Sequence, residues 1–234
     1  MGMGVFYHGL AHWLFPPRCI LCGGRGSRDL DLCEGCCADL PRLERHCLRC
    51  ALPLVSGDIC ARCLRHPPAF HSTTALFHYA FPIRELIIAL KFHGQLHLAP
   101  TLGRLMARAL ENRSDLPGCI IPVPLHPKRL RERGYNQALE LARPIARTLG
   151  IPLEHRACIR TRPTQAQSGL PERRRRINVA GAFRLTGPLR TSHVALVDDV
   201  MTTGSTVQAL ASELRRGGVE RVEVWSLSRA SMAS

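Results

Sequence analysis

Eight of the eleven cysteines in this 234-residue chain fall into four C-x-x-C pairs, Cys19/Cys22, Cys33/Cys36, Cys47/Cys50 and Cys60/Cys63, all within 45 residues. A C-x-x-C knuckle points two thiolates at one metal, and two knuckles complete a tetrahedron. Residues 16–66 therefore read as a small module built on two structural Zn²⁺ ions. A disulfide-stapled secreted module is the competing reading. It needs an oxidising compartment, yet the first 17 residues lack a basic n-region and His8, Gly9 and His12 interrupt their apolar stretch, so no secretory signal is expected and the location reads as cytoplasmic. Sequential pairing of the knuckles closes the shorter loops; cross-braced pairing of the first with the third and the second with the fourth stays open. Cys37 is an alternative ligand beside Cys36, and Cys119 and Cys158 read as small buried hydrophobes.

Beyond Pro67-Pro68, a stiff linker, the pattern changes. The spacing predicts a strand over 72–80, helices over 82–93 and 96–112, a buried strand over 119–124, a helix over 136–149 and a strand over 156–161. A polar, arginine-rich loop follows over 162–178, then a strand over 193–198, a helix over 203–217 ended by Gly217-Gly218, and an alternating strand over 220–228. Strands alternating with helices predict an α/β domain over 70–234 with a mostly parallel sheet. No apolar run approaches the ~18 residues of a transmembrane helix. In the N-terminal segment 1–15, Phe6, Leu10, Trp13 and Leu14 have helical spacing, which predicts an amphipathic helix over 3–15 packed on the main domain. Membrane anchoring is the alternative, with no Lys or Arg before Arg18 to favour it.

The chemistry concentrates in residues 194–206. Four apolar residues predict a buried strand with Asp198 and Asp199 at its carboxyl end, where open α/β sheets bind ligands. Thr202, Thr203, Gly204, Ser205 and Thr206 then open a helix, and a glycine-containing turn at a helix N-terminus offers converging N–H donors to a phosphate. Two carboxylates ahead of that cradle repel phosphate, so they suit vicinal sugar hydroxyls instead. A ribose 5-phosphate is the ligand implied. No Gly-Lys-Ser/Thr follows, so this is not a Walker loop. Helix capping alone is the simpler alternative; two acids, four hydroxyls and a glycine in nine residues weigh against it.

Residues 194–206 resemble the phosphoribosyl pyrophosphate (PRPP) motif of type I phosphoribosyltransferases. The resemblance implies that Asp198 and Asp199, after Val197, hold the ribose hydroxyls, that residues Thr202 to Thr206 wrap the 5-phosphate, and that Mg²⁺ accompanies PRPP. Purine-salvage members place an acid where this chain has Thr202, which disfavours purine salvage. Four C-x-x-C knuckles followed by Ala89-Leu-Lys-Phe-His-Gly94, Pro122-Val-Pro-Leu-His-Pro-Lys-Arg129, Arg133-Gly-Tyr-Asn-Gln137 and Arg162-Pro-Thr-Gln165 resemble the ComF family over nearly the whole chain. That resemblance implies a zinc-ribbon module fused to a phosphoribosyltransferase-like domain. It also implies a role in natural competence, at or after entry of single-stranded DNA into the cytoplasm, with other competence proteins as partners.

The formal charge is +14, which favours a polyanionic partner. Segment 125–176 carries 13 Lys and Arg against four Glu, a net +9, whereas residues 1–70 carry eight Arg against six acids. Two Zn²⁺ on eight thiolates take that second figure to about −2, so the cysteine module is not the basic patch. Lys128, Arg129, Arg131 and Arg133 follow the predicted strand, close to where the resemblance implies a pyrophosphate loop; Lys128, Arg129 and Arg162 are the candidates to stabilise the departing pyrophosphate. Arg173–Arg176 belong to the loop that closes over the site in transferases of this type, or contact a nucleic-acid backbone, or form a solvated face. Tyr135 and Asn136 are candidates to contact a base. The expectation is either a PRPP-dependent transferase with an unknown acceptor or a non-catalytic PRPP sensor that also binds single-stranded DNA.

Overall fold

The computed structural model describes residues 17–27, 30–162 and 181–231. The helix expected over 3–15 and the run Arg173–Arg176, with the rest of 163–180, lie outside the described residues. The chain divides into two compact units, Met1–Pro41 and Arg42–Ser234, so the two cysteine quartets fall in different units.

In the first unit the Cys19 N–H donates to the Gly24 carbonyl and the Gly23 N–H to the Cys19 carbonyl, at 2.8 and 2.9 Å. Cys33 caps helix α1 (Glu34–Ala38), its Sγ accepting the Cys36 N–H. Five residues do not hold a helix unaided; the thiol cap supplies the missing partner at its start.

The second unit repeats this device in α2 (Ala61–Arg65), capped by Cys60, whose Sγ accepts the Cys63 N–H. The order then runs β1 (Ser72–His78), α3 (Ile83–Phe92), α4 (Leu98–Leu110), β2 (Cys119–Pro122), α5 (Pro127–Arg133), α6 (Gln137–Leu149), β3 (Cys158–Arg160), β4 (Phe183–Leu185), β5 (His193–Met201), α7 (Ser205–Arg216) and β6 (Arg221–Arg229). Four strands form a parallel sheet in the order β1-β6-β5-β2, the expected α/β architecture, while β3 and β4 pair antiparallel as a separate ribbon. Val194 to Val197 and Val222 to Arg229 are buried at consecutive positions. Side chains alternate along a strand, so both faces are covered. No helix among the described residues is long and apolar enough to cross a membrane.

Three details differ from the periodicity. Residues 127–133, to which the periodicity assigns no element, are helical: His126 caps α5 by accepting the Lys128 N–H, Pro127 fits the first turn, and Gly134 ends it with φ +84°. β4 is three residues long and exists through its pairing with β3. β5 continues past the acids to Met201, because β6 stays in register as far as the Met201–Arg229 pair. The acids thus lie inside the strand, three and two residues before its last residue.

The core recruits the second quartet: Cys47, Cys50, Cys60 and Cys63 are buried in one cluster with Phe70, Met201 and Val207. Elsewhere α4 approaches α6 so closely that a Cβ on Gly103 would lie 2.3 Å from Pro144 Cγ and 2.6 Å from the Leu141 carbonyl.

Candidate functional site

The thiols gather as Cys19, Cys22, Cys33 and Cys36, and as Cys47, Cys50, Cys60 and Cys63, with the sulfurs of each set within 4.8 Å of one another. This is the sequential arrangement. A tetrahedron with Zn–S bonds of ~2.3 Å has S···S edges of about 3.8 Å. Cys22 and Cys33 lie 3.8 Å apart and Cys50 and Cys60 3.7 Å, so both quartets fit zinc. Burial works to raise the Cys47 thiol, but N–H donors from Cys60, Cys50 and Arg49 outweigh it and bring it down to about 7. At Cys19 the N–H groups of Cys33, Cys22 and Leu21 outweigh burial in the same way and bring it to about 6. Such donors favour the thiolate that a metal requires. Cys37 stands outside both groups. A third cluster, Asp115, His193 and Glu223, already has cationic partners: Glu223 pairs with Arg113 and Arg221, each at 2.8 Å.

The two acids of β5 open onto a cleft of about 270 Å³. Asp199 is 2% exposed and pairs with Lys91 Nζ of α3 at 2.7 Å. Asp198 Oδ1 accepts the Asp199 N–H, and Asp199 Oδ1 accepts the Val200 N–H, which fixes both carboxylates on the strand. Burial, and then the neighbouring Asp199 carboxylate, push Asp198 up to about 8 against the opposing pull of Lys91. Arg129 and Arg133 of α5 and Arg160 of β3 also line the cleft. Four cations thus face two acids.

The helical geometry of α5 decides which basic residues arrive. Arg129 and Arg133 are four residues apart and share a face; Lys128 lies one residue off that face, is exposed and is not among the cleft residues. Arg133 stacks 5.3 Å over the Phe92 ring and donates to Gln137 Oε1, and Arg160 stacks 5.4 Å over Phe183. Arg162 is exposed and outside the cleft lining, and Val197 is a fully buried core residue. Tyr135 and Asn136 are engaged structurally: Tyr135 Oη donates to the Leu90 carbonyl, and Asn136 donates to the Val123 carbonyl while accepting the Ala138 N–H to cap α6.

The hydroxyl loop splits in two. Thr202 and Thr206 line the cleft. Thr203 and Ser205 are buried, their hydroxyls 2.8 Å apart. Gly204 adopts φ +79°, and a Cβ there would lie 2.7 Å from Met201 Cε, so the turn into α7 requires glycine. Lys91 and Arg160 were not anticipated as site residues. The signal for Lys91 was its place in the 89–94 motif; Arg160 carried none, since its place depends on the β3–β4 ribbon.

Similarity to known proteins is extensive. The chain is 38% identical over 225 residues to an Escherichia coli protein named DNA utilization protein YhgH, covering 94% of this chain and 92% of that one. It is 37% identical over 225 residues to competence protein F of Haemophilus influenzae, covering 91% and 97%. The chain belongs to the ComF family. A more divergent relative, competence protein ComFC of Streptococcus pneumoniae, is 23% identical over 229 residues, covering 91% and 100%. Residues 10–64 match a double zinc ribbon domain and residues 136–230 a phosphoribosyl transferase domain. This ComF-family chain therefore joins a zinc-ribbon segment to a phosphoribosyltransferase-like domain, whose matched region holds the acid pair and the loop into α7.

Proposed function

We propose that the cleft binds PRPP together with Mg²⁺. Asp198 and Asp199 accept hydrogen bonds from the ribose hydroxyls. The 202–206 loop holds the 5-phosphate through backbone N–H groups and threonine hydroxyls, and Arg129, Arg133 and Arg160 face the pyrophosphate. One observation carries this reading: an adjacent acid pair, an arginine wall and Thr202 with Thr206 line a single cleft, as a ligand with both a diol and phosphates requires. Mg²⁺ would neutralise part of the pyrophosphate charge. In transfer, the bond from the sugar C1 to pyrophosphate breaks with its electron pair leaving on pyrophosphate, and an acceptor lone pair forms the new bond. Arg129 and Arg160 stabilise the departing charge, a role for which Lys128 and Arg162 are placed less well.

A second reading, binding of PRPP without transfer, is favoured by Thr202, which puts a hydroxyl rather than an acid on the cleft wall. The names of the relatives, DNA utilization protein and competence protein, support a role in competence and DNA use; a cytoplasmic location and contact with single-stranded DNA or other competence proteins extend that reading. Calorimetry with PRPP and Mg²⁺ tests the site. Asp198→Asn with Asp199→Asn should weaken binding well over tenfold, since each charge-assisted bond contributes ~1.5–3 kcal/mol. Unchanged affinity in the folded double variant means that the cleft is misassigned. Pyrophosphate release with candidate acceptors separates transferase from sensor.

A further inference from the structure

The loop into α7 is held from behind by two arginines tied to the second cysteine quartet. Arg229, at the end of β6, is 1% exposed. Its Nε donates to the Cys50 carbonyl at 2.8 Å. Its Nη1 shares two N–H groups among three carbonyls, those of Met201 at 2.9 Å, Ala230 at 2.6 Å and Thr202. Arg62 lies between Cys60 and Cys63, and its Nη2 donates to the Thr203 carbonyl at 2.9 Å. Three successive carbonyls, those of Met201, Thr202 and Thr203, therefore accept from guanidiniums, that of Arg62 within the quartet segment and that of Arg229, which is bonded to the Cys50 carbonyl.

The consequence follows from peptide geometry. In a planar trans peptide a carbonyl and the next N–H point in opposite directions. Holding the Thr202 and Thr203 oxygens on the quartet side turns the N–H groups of Thr203 and Gly204 away from it. Those are two of the donors that a phosphate at this turn would use. Charge supports the arrangement. A zinc ion on four thiolates carries a net −2, which offsets the cost of keeping a guanidinium at Arg229 out of water.

We propose that the second zinc centre is a working part of the phosphate site. Arg62 and Arg229 are positioning residues that set the 201–204 backbone, so losing the metal from Cys47, Cys50, Cys60 and Cys63 loosens the loop, and losing it from the first quartet does not. The identity of the ligand rests on the PRPP reading; the coupling of quartet to loop does not.

The test uses the whole protein and four readouts: zinc per chain, hydrogen exchange over 201–206, and affinities for ribose 5-phosphate and for Mg²⁺-pyrophosphate. Arg229 is buried deeply enough that its loss threatens folding, so the primary variant is the half-buried Arg62→Ala. It should keep both zinc ions, exchange faster over 201–206 and bind ribose 5-phosphate about tenfold more weakly. Its pyrophosphate affinity, read by residues across the cleft, should stay within about twofold. Cys60→Ser with Cys63→Ser should lose one zinc and reproduce the faster exchange; Cys19→Ser with Cys22→Ser should lose one zinc without it. Unchanged exchange in both the Arg62 and Cys60/Cys63 variants overturns the proposal, as does an equal effect from the first quartet. If the unmodified protein binds neither ribose 5-phosphate nor PRPP, the functional reading falls, and the exchange data still decide the coupling.

Discussion

Replacing Lys91 with Met keeps most of the side chain's apolar stem and removes the ammonium that meets Asp199 at 2.7 Å. Two unit charges that close attract by about 6 kcal/mol at an effective dielectric near 20. Desolvation offsets part of this, and truncating one partner of a buried pair leaves a net cost of ~3–5 kcal/mol. Lys91 is 20% exposed and Asp199 only 2%, so water reaches one partner, which places the expected loss at the lower end, ~3 kcal/mol. Urea unfolding at pH 8, followed through the buried Trp225, reads this as a midpoint shift of roughly 1 M. Adding Asp199→Asn to Lys91→Met removes the stranded carboxylate and should recover most of the loss. A single-variant cost below ~1 kcal/mol, or a double variant whose losses simply add, refutes the buried-pair account.

Three further outcomes concern the acid pair and the zinc centres. Asp198 sits at about 8, above the ~3.9 of an unfolded chain, so its protonated form contributes stability that is fully present below about pH 4 and lost as pH rises through about 8. PRPP, whose hydroxyls favour the ionised acid, should bind up to about tenfold more tightly per unit between pH 6 and 8 with release of a proton, which calorimetry in two buffers detects; a flat pH profile contradicts it. Anaerobically purified protein should carry two Zn²⁺ per chain, and Cys47→Ser with Cys50→Ser should lose one and lower the melting temperature; zinc-free, fully folded protein contradicts it.

What could be read from the chain divides by range. β5, the Gly204 turn and α7 were legible because apolar run, acids, glycine and hydroxyls are contiguous and each obeys a local rule. The quartets were legible because C-x-x-C spacing is local geometry. The α5 helix was hidden by its charge, since five of its seven residues are Lys, Arg or Glu and show no apolar period. Lys91 and Arg160 reach the cleft from elements 107 and 38 residues away from Asp198 in sequence. Arg229 looked like an ordinary charged residue closing a strand, and its burial depends on Cys50, 179 residues earlier. That same dependence draws the second quartet into the Arg42–Ser234 unit, although the double-ribbon match spans both quartets.

The strand order has a consequence for synthesis. β6 is the last of the four sheet strands to be made, yet it fills an interior position between β1 and β5. Some 150 residues separate the end of β1 at His78 from the end of β6 at Arg229, which is roughly 8–30 s of translation at usual elongation rates. Through that interval the edge of β1 stays open, and after Met201 the edge of β5 is open beside it; only residues 221–229 can close them. The nascent protein is therefore most vulnerable to mispairing just before β6 emerges, and this is the window in which a chaperone bound to β1 or β5 would do the most good.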